Sequence, residues 1–283
     1  MRIAMLGLGS MNGAILKGLL ASGVSAQDVV ATTRSAASAC ARAEELGIEV
    51  VAEESVESER TANQQAAASA DLVMLGVKPH QITDLCTEIA DALEPDAVVV
   101  SVAAAVTVDM LQQALPQGQP VIRSMPNTPL SVGRGVVGLA AGEHTSAQQL
   151  HRVRDLLSAC GAVHVVEETQ IDALTGVSGS GPAYVFFLAE HLAAAGAERG
   201  LPPELAADLA AQTIQGAGDM LVSALNQGAG DAASLRQAVT SPNGTTERGI
   251  AALTEGGLPQ AVHAAVSASA ARAAEISRDL AGE

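Results

Sequence analysis

The sequence predicts an α/β N-terminal domain built on a doubly wound parallel sheet, followed by an all-α domain. Across residues 2 to about 166, short Val/Ile/Ala runs alternate with helix-length segments, the pattern of parallel strands covered by crossover helices. After Glu168 the β-branched runs stop and alanine-rich stretches take over, which divides the chain into domains 1–167 and 168–283. With 283 residues and 48% hydrophobic content, the chain is large enough for two modest cores.

In order along the chain, strands are expected over residues 3–7, 29–33, 72–76, 98–101 and 121–123, with two more over 136–140 and 163–166. The first twenty residues have the outline of a secretory leader, with Arg2 before an apolar run, but Gly7, Gly9, Asn12, Gly13 and Lys17 punctuate it. A strand, a turn and a helix account for it better. In the second half the breakers Gly181-Pro182, Pro202-Pro203, Gly228 to Gly230, Ser241-Pro242 and Gly256-Gly257 mark about six helices. Their faces are mostly alanine, and so few large side chains leave the core short of anchors, so a partner copy is expected to complete it. Tyr184, Phe186 and Phe187, the chain's only aromatics, read as packing anchors on one early helix.

The net charge of −16 and the absence of a basic stripe argue against nucleic acid as a partner. No uninterrupted apolar run reaches membrane-spanning length, so no membrane association is expected. Cys40, Cys86 and Cys160 form neither a disulfide framework nor a ligand spacing, which suits a reducing cytoplasm, and the six histidines are scattered without an H-x-x-x-H pair. No metal site is expected.

The segment from Ile3 to Gly13, Ile-Ala-Met-Leu-Gly-Leu-Gly-Ser-Met-Asn-Gly, places two glycines of a G-x-G-x-x-G turn between a strand and a helix. Gly7 makes the tight turn, and Gly9 leaves room for a pyrophosphate beside Ser10 and Met11 at the helix start. Asn12 stands at the third glycine position, from which a slightly displaced helix is expected. These features define a dinucleotide-binding (Rossmann) domain. After the second strand, Arg34 and Ser35 replace the carboxylate that would select NAD, a choice that suits a 2′-phosphate; the alternative is that Arg34 merely caps a surface loop. NADPH is therefore the expected cofactor, with NADH an alternative. Val77, Lys78 and Pro79 end the third strand and Ala103 follows the fourth, at the strand ends that edge the crevice. Lys78 reads either as a catalyst or as a stem packed under the cofactor.

The second half carries one stretch unlike its surroundings, from Thr240 to Gly249: Thr-Ser-Pro-Asn-Gly-Thr-Thr-Glu-Arg-Gly. Pro242 ends a helix, Asn243 and Gly244 tolerate positive φ, and the following N–H groups can face a small anion at a helix start. Together with Val77-Lys78-Pro79, the block Arg123-Ser-Met-Pro-Asn127-Thr-Pro129 and the run Val177-Ser-Gly-Ser-Gly-Pro-Ala-Tyr184, this loop resembles pyrroline-5-carboxylate reductase along nearly the whole chain. The resemblance implies NAD(P)H-dependent reduction of 1-pyrroline-5-carboxylate, a cyclic imino acid, to L-proline. It implies a helical dimerisation domain, and a decamer built from dimers. By position, Ser241, Asn243, Gly244, Thr245 and Thr246 would bind substrate, Thr246 would be the catalytic hydrogen-bonding group at the imine nitrogen, and Asn127 would join the cofactor residues. Thr246 also reads as a helix-capping residue, and Asn243 stands where that family's loop has glycine.

Three rivals stand beside this reading. A β-hydroxyacid dehydrogenase would place a lysine in its helical domain, and residues 168–283 contain none. A broader imine reductase acting on the six-membered ring, or an NADP-binding sensor without turnover, would share the motifs.

Overall fold

The computed structural model describes residues 1–282. Its first half alternates strand and helix: β1 (Ile3–Leu6), α1 (Ser10–Ala21), β2 (Val29–Thr33), α2 (Ala36–Leu46), β3 (Glu49–Ala52), α3 (Ala62–Ala67), β4 (Leu72–Leu75), α4 (Ile82–Ile89), β5 (Val98–Ser101) and α5 (Val108–Ala114). There follow β6 (Val121–Pro126), β7 (Gly135–Ala141), α6 (Ala147–Leu157) and β8 (Gly161–Val165). These strands form one sheet in the order β3-β2-β1-β4-β5-β6-β7-β8. The chain runs outward from β1 to β3 and then returns to β4 on the other side of β1, so the order reverses between β1 and β4. Crevices open at the carboxyl ends of strands where such a reversal occurs.

Period-two alternation builds two cores from one set of strands. Ile3 and Met5 face one layer with Ile15, Leu16 and Leu19 of α1, while Ala4 and Leu6 face the other with Ile82, Leu85 and Ile89 of α4. Each fully buried large aliphatic side chain contributes about 1.5–3 kcal/mol.

Two features of the sheet depart from the sequence reading. β3 was not anticipated: it is four residues long, begins with an acid and pairs on one side only, with β2, so it lacks the continuous apolar run of a central strand. β7 lies antiparallel to β6, because residues 127–134 return the chain directly beside β6 without a crossover helix; β8 pairs parallel to β7.

Residues 168–179, which the sequence reading assigns to the helical domain, pack with the sheet. α7 (Ile171–Leu174) and a π-helical turn, Thr175–Gly179, follow Glu168, whose carboxylate accepts from Val108 N at 2.8 Å and pairs with buried Arg123 at 3.0 Å. The compact units accordingly divide as Met1–Gly179 with Ala268–Glu283, and Ser180–Ser267.

The second unit contains α8 (Gly181–Glu198), α9 (Pro203–Gln227), α10 (Ala232–Ala238) and α11 (Thr245–Glu255), with α12 (Leu258–Ala281) running from it into the first. The breakers named above fall at helix ends, with Pro182 in the first turn of α8 and Gly228 in the left-handed conformation closing α9, except Ser241-Pro242, which lies in the loop after α10 has already ended at Ala238. Tyr184 anchors as expected, its hydroxyl donating to Ala265 O at 3.4 Å. Phe186 and Phe187 do not: they are 68% and 62% exposed. They sit on a face that this chain alone does not cover.

Candidate active site

The turn after β1 is held from three sides. Gly7 adopts φ +78°, and a Cβ there would lie 2.7 Å from Val77 Cγ1, so only glycine lets β1 turn under the Val77 loop. Its N–H donates to Thr32 Oγ1 at 3.0 Å, and Gly9 N–H donates to Gly7 O at 2.9 Å. α1 then begins with Gly9 as N-cap, without a side-chain cap and without an acidic residue in its first turn. That helix start is left free to face an anion.

Asn12 explains its own presence at the third glycine position. It is fully buried, and its Nδ2 lies within reach of Leu6 O, Gly7 O and Met74 O at 3.4, 3.2 and 3.4 Å. A Cβ on Gly76 would come within 2.2 Å of that nitrogen. The room for asparagine therefore comes from Gly76 across the switch point, and the amide ties the ends of β1 and β4 together.

A cleft of about 760 Å³ opens over this turn. It is lined by Gly7, Gly9, Ser10, Met11, Arg34, Val77, Lys78, Pro79 and Ala103, all expected from sequence. Ala104 also lines it, and Ala105 beside it holds φ +67°, a strained setting for alanine in the loop that follows β5. Three expected residues lie outside this lining: Asn12 beneath the turn, Ser35 and Asn127. Ser35 caps α2, its Oγ accepting from Ser38 N at 3.3 Å. Asn127 bridges two backbone segments: Nδ2 donates to Ser178 O at 2.9 Å and Oδ1 accepts from Val136 N at 2.8 Å.

Among the cleft-lining residues that escaped the sequence reading are Glu53, Asn63 and Glu88. Thr32 Oγ1 donates to Asn63 Oδ1 at 2.7 Å, which turns Asn63 Nδ2 toward the carboxylates of Glu53 and Glu88, 3.2 and 3.3 Å away. A hydrogen-bonded chain thus runs from these acids to the Gly7 N–H. No local motif announces it, because its members come from four separate segments. The donors, the open helix start and the glycine-lined floor suit a dinucleotide.

In the helical unit, Asn243 adopts φ +58°, the left-handed setting expected of it. Gly244 N–H closes the turn on Ser241 O at 3.0 Å, and Gly244 is the N-cap of α11 without any side-chain cap. Thr245 and Thr246 therefore occupy the first helical turn and are not the cap. Glu247 reaches back to accept from Asn243 N at 2.8 Å. The loop is exposed on its own unit.

Burial pushes the Cys86 thiol up to about 12 and raises that of Cys160 as well, so both stay protonated. Among the described residues no cluster of His, Cys, Asp and Glu is arranged to hold a metal, and no helix is long and apolar enough to cross a membrane.

Comparison with known proteins now decides the family. Residues 168–276 match the model described as pyrroline-5-carboxylate reductase dimerisation, and residues 2–105 match that of an NADP oxidoreductase, coenzyme F420-dependent. The chain is 40% identical over 280 residues to a pyrroline-5-carboxylate reductase of Pseudomonas aeruginosa, covering 99% of this chain and 98% of that protein. The chain belongs to the pyrroline-5-carboxylate reductase family. A family member from Mycobacterium tuberculosis is 38% identical, covering 97% of this chain and 96% of that one. The solved structure of the reductase from Coxiella burnetii superposes with a TM-score of 0.87 at 36% identity, covering 97% and 98% of the two chains. That of Plasmodium falciparum, described with NADP bound, shares the fold at TM-score 0.82 and 23% identity. As in other pyrroline-5-carboxylate reductases, the chain pairs an NAD(P)-binding sheet domain with a helical dimerisation region.

Proposed function

We propose that this chain, as a homodimer through its helical half, reduces 1-pyrroline-5-carboxylate to L-proline with NADPH, accepting NADH as well. The observation that carries the site assignment is the pairing, within one chain, of an open cleft at the β1–β4 reversal with an uncapped α11 N-terminus behind a left-handed turn.

When bound, the nicotinamide supplies the hydride that adds to the carbon of the C=N bond, while the nitrogen takes a proton. The protein aligns the two molecules. Gly7, Gly9, Ser10 and Met11 offer the pyrophosphate a helix start, with Asn12 bracing the floor beneath them. Arg34 would hold the 2′-phosphate, Ser35 sets the start of α2 beside it, and Val77, Lys78, Pro79 and Ala103 edge the cleft. Asn127 acts on the site through the Ser178 carbonyl that it holds. Ser241, Asn243, Gly244 and Thr245 hold the substrate carboxylate at the dipole-positive end of α11. The Thr246 hydroxyl hydrogen-bonds the imine nitrogen, with water as the proton source.

The decisive measurement is Thr246→Ala. We expect kcat/KM to fall about ten- to a hundredfold, the loss of one transition-state hydrogen bond, while NADPH affinity is unchanged and Thr246→Ser keeps most of the rate. Unaltered turnover would remove Thr246 from the mechanism. Ring size is tested by comparing kcat/KM for the five- and six-membered imino acids; a preference of about tenfold or more for the five-membered ring is expected from one methylene of pocket volume. Three free cysteines accord with a cytoplasmic location, and the decameric assembly rests on the family resemblance.

A further inference from the structure

Sequence places no carboxylate directly after β2, where Arg34 stands, yet the fold delivers one there from another strand. Glu54 follows β3, and its Oε1 accepts from Ala36 N, the first amide of α2, at 2.6 Å. Its own N–H donates to Arg34 O at 3.3 Å, so the two residues are fastened together through their backbones. The neighbouring groups are already committed or carry the same sign. Ser35 Oγ takes the Ser38 amide, and Arg42, a turn further along α2, pairs with Glu45 at 2.7 Å. Glu53, next to Glu54, turns into the cleft.

We propose that Glu54 is a cofactor-specificity residue: its carboxylate occupies the α2 amide beside Arg34 and repels a 2′-phosphate there, so that NADPH and NADH are accepted on closer terms than Arg34 alone would set. A phosphate at this point needs both the guanidinium and the helix amide. Glu54 holds the amide, and it brings a negative charge to the start of α2. The inference rests on Arg34 facing the 2′-phosphate, and the test separates the two.

Calorimetric titration of the full-length protein with adenosine 2′,5′-bisphosphate and with adenosine 5′-monophosphate reads the 2′-phosphate without any turnover. Glu54→Gln keeps an acceptor for Ala36 N and removes the charge. We expect it to tighten the bisphosphate about fivefold, the upper range for one exposed charge pair, and to leave the monophosphate unchanged. The ratio of kcat/KM for NADPH over NADH rises by the same factor, and the gain shrinks in about 1 M salt. Glu54→Ala, which removes acceptor and charge together, moves the ratio in the same direction.

Arg34→Ala weakens the bisphosphate alone; if it changes nothing, the Arg34 assignment falls. If Arg34→Ala weakens the bisphosphate while both Glu54 variants leave the two probes unchanged, the Glu54 inference is overturned. Equal weakening of both probes with a lower melting temperature would show a capping role only, and overturns it too.

Discussion

The two units of this molecule bury their apolar surface in opposite ways. In the first, the strand residues of β1, β4 and β5 are almost wholly withdrawn from solvent, and both sheet faces are closed by helices. In Ser180–Ser267 the buried residues are alanines 206, 210 and 224, while large apolar side chains such as Phe186, Phe187, Leu192, Leu209 and Met220 stand in water. The first unit holds its own core. The second presents half of one, and so many exposed large apolar side chains suit an interaction surface. Helical periodicity describes each helix well but says nothing of which face a second chain will cover.

The largest expected effect tests that difference directly. Leu209→Glu on α9 should abolish dimer formation, because a charge cannot be buried unpaired at an apolar interface. Sedimentation would then give a monomer, and turnover should fall by more than about a hundredfold if the helical half needs its partner. A wild-type dimer with full activity in this variant would mean that the face lies elsewhere. Dilution sharpens the same contrast without mutation: the melting of helical signal should move to lower temperature as protein concentration falls, while that of the sheet unit stays in place.

Within the self-contained unit, Leu16→Ala should cost about 2–5 kcal/mol, read as a fall in the sheet unit's melting temperature. Gly76→Ala should cost about 1–3 kcal/mol, since the added methyl meets the Asn12 amide, and should weaken both NADPH and NADH. Asp155→Ala breaks exposed contacts with His151 and Arg154 and should change stability by less than about 0.5 kcal/mol. Should that surface change matter as much as Gly76→Ala, the ranking by burial would be wrong.

Much of the site is legible locally because its parts are local. The β1 turn declares itself through Gly7 and Gly9, a helix start follows within a few residues, and Asn243 carries its left-handed conformation in its own side-chain chemistry. The parts that escaped depend on distant partners. Asn12 looks like a defect in a glycine motif until Gly76 appears opposite it. Asn127 reads as a cofactor ligand within its Met-Pro-Asn-Thr-Pro block, yet its amide is committed to Ser178 and Val136. Glu54 lies beyond an edge strand of only four residues, so no spacing rule brings it to Arg34.

By itself the sequence determined the alternation of strands and helices, the dinucleotide turn, the helix boundaries at glycine and proline, and the loop before α11, since each depends on residues within a few positions of one another. Only the tertiary structure decided the direction of β7, the bracing of the turn by Asn12, the chain from Gly7 through Thr32 and Asn63 to two acids, and the seating of Glu54 on α2. Those contacts join residues far apart in sequence, and their geometry exists only once the sheet order has been set.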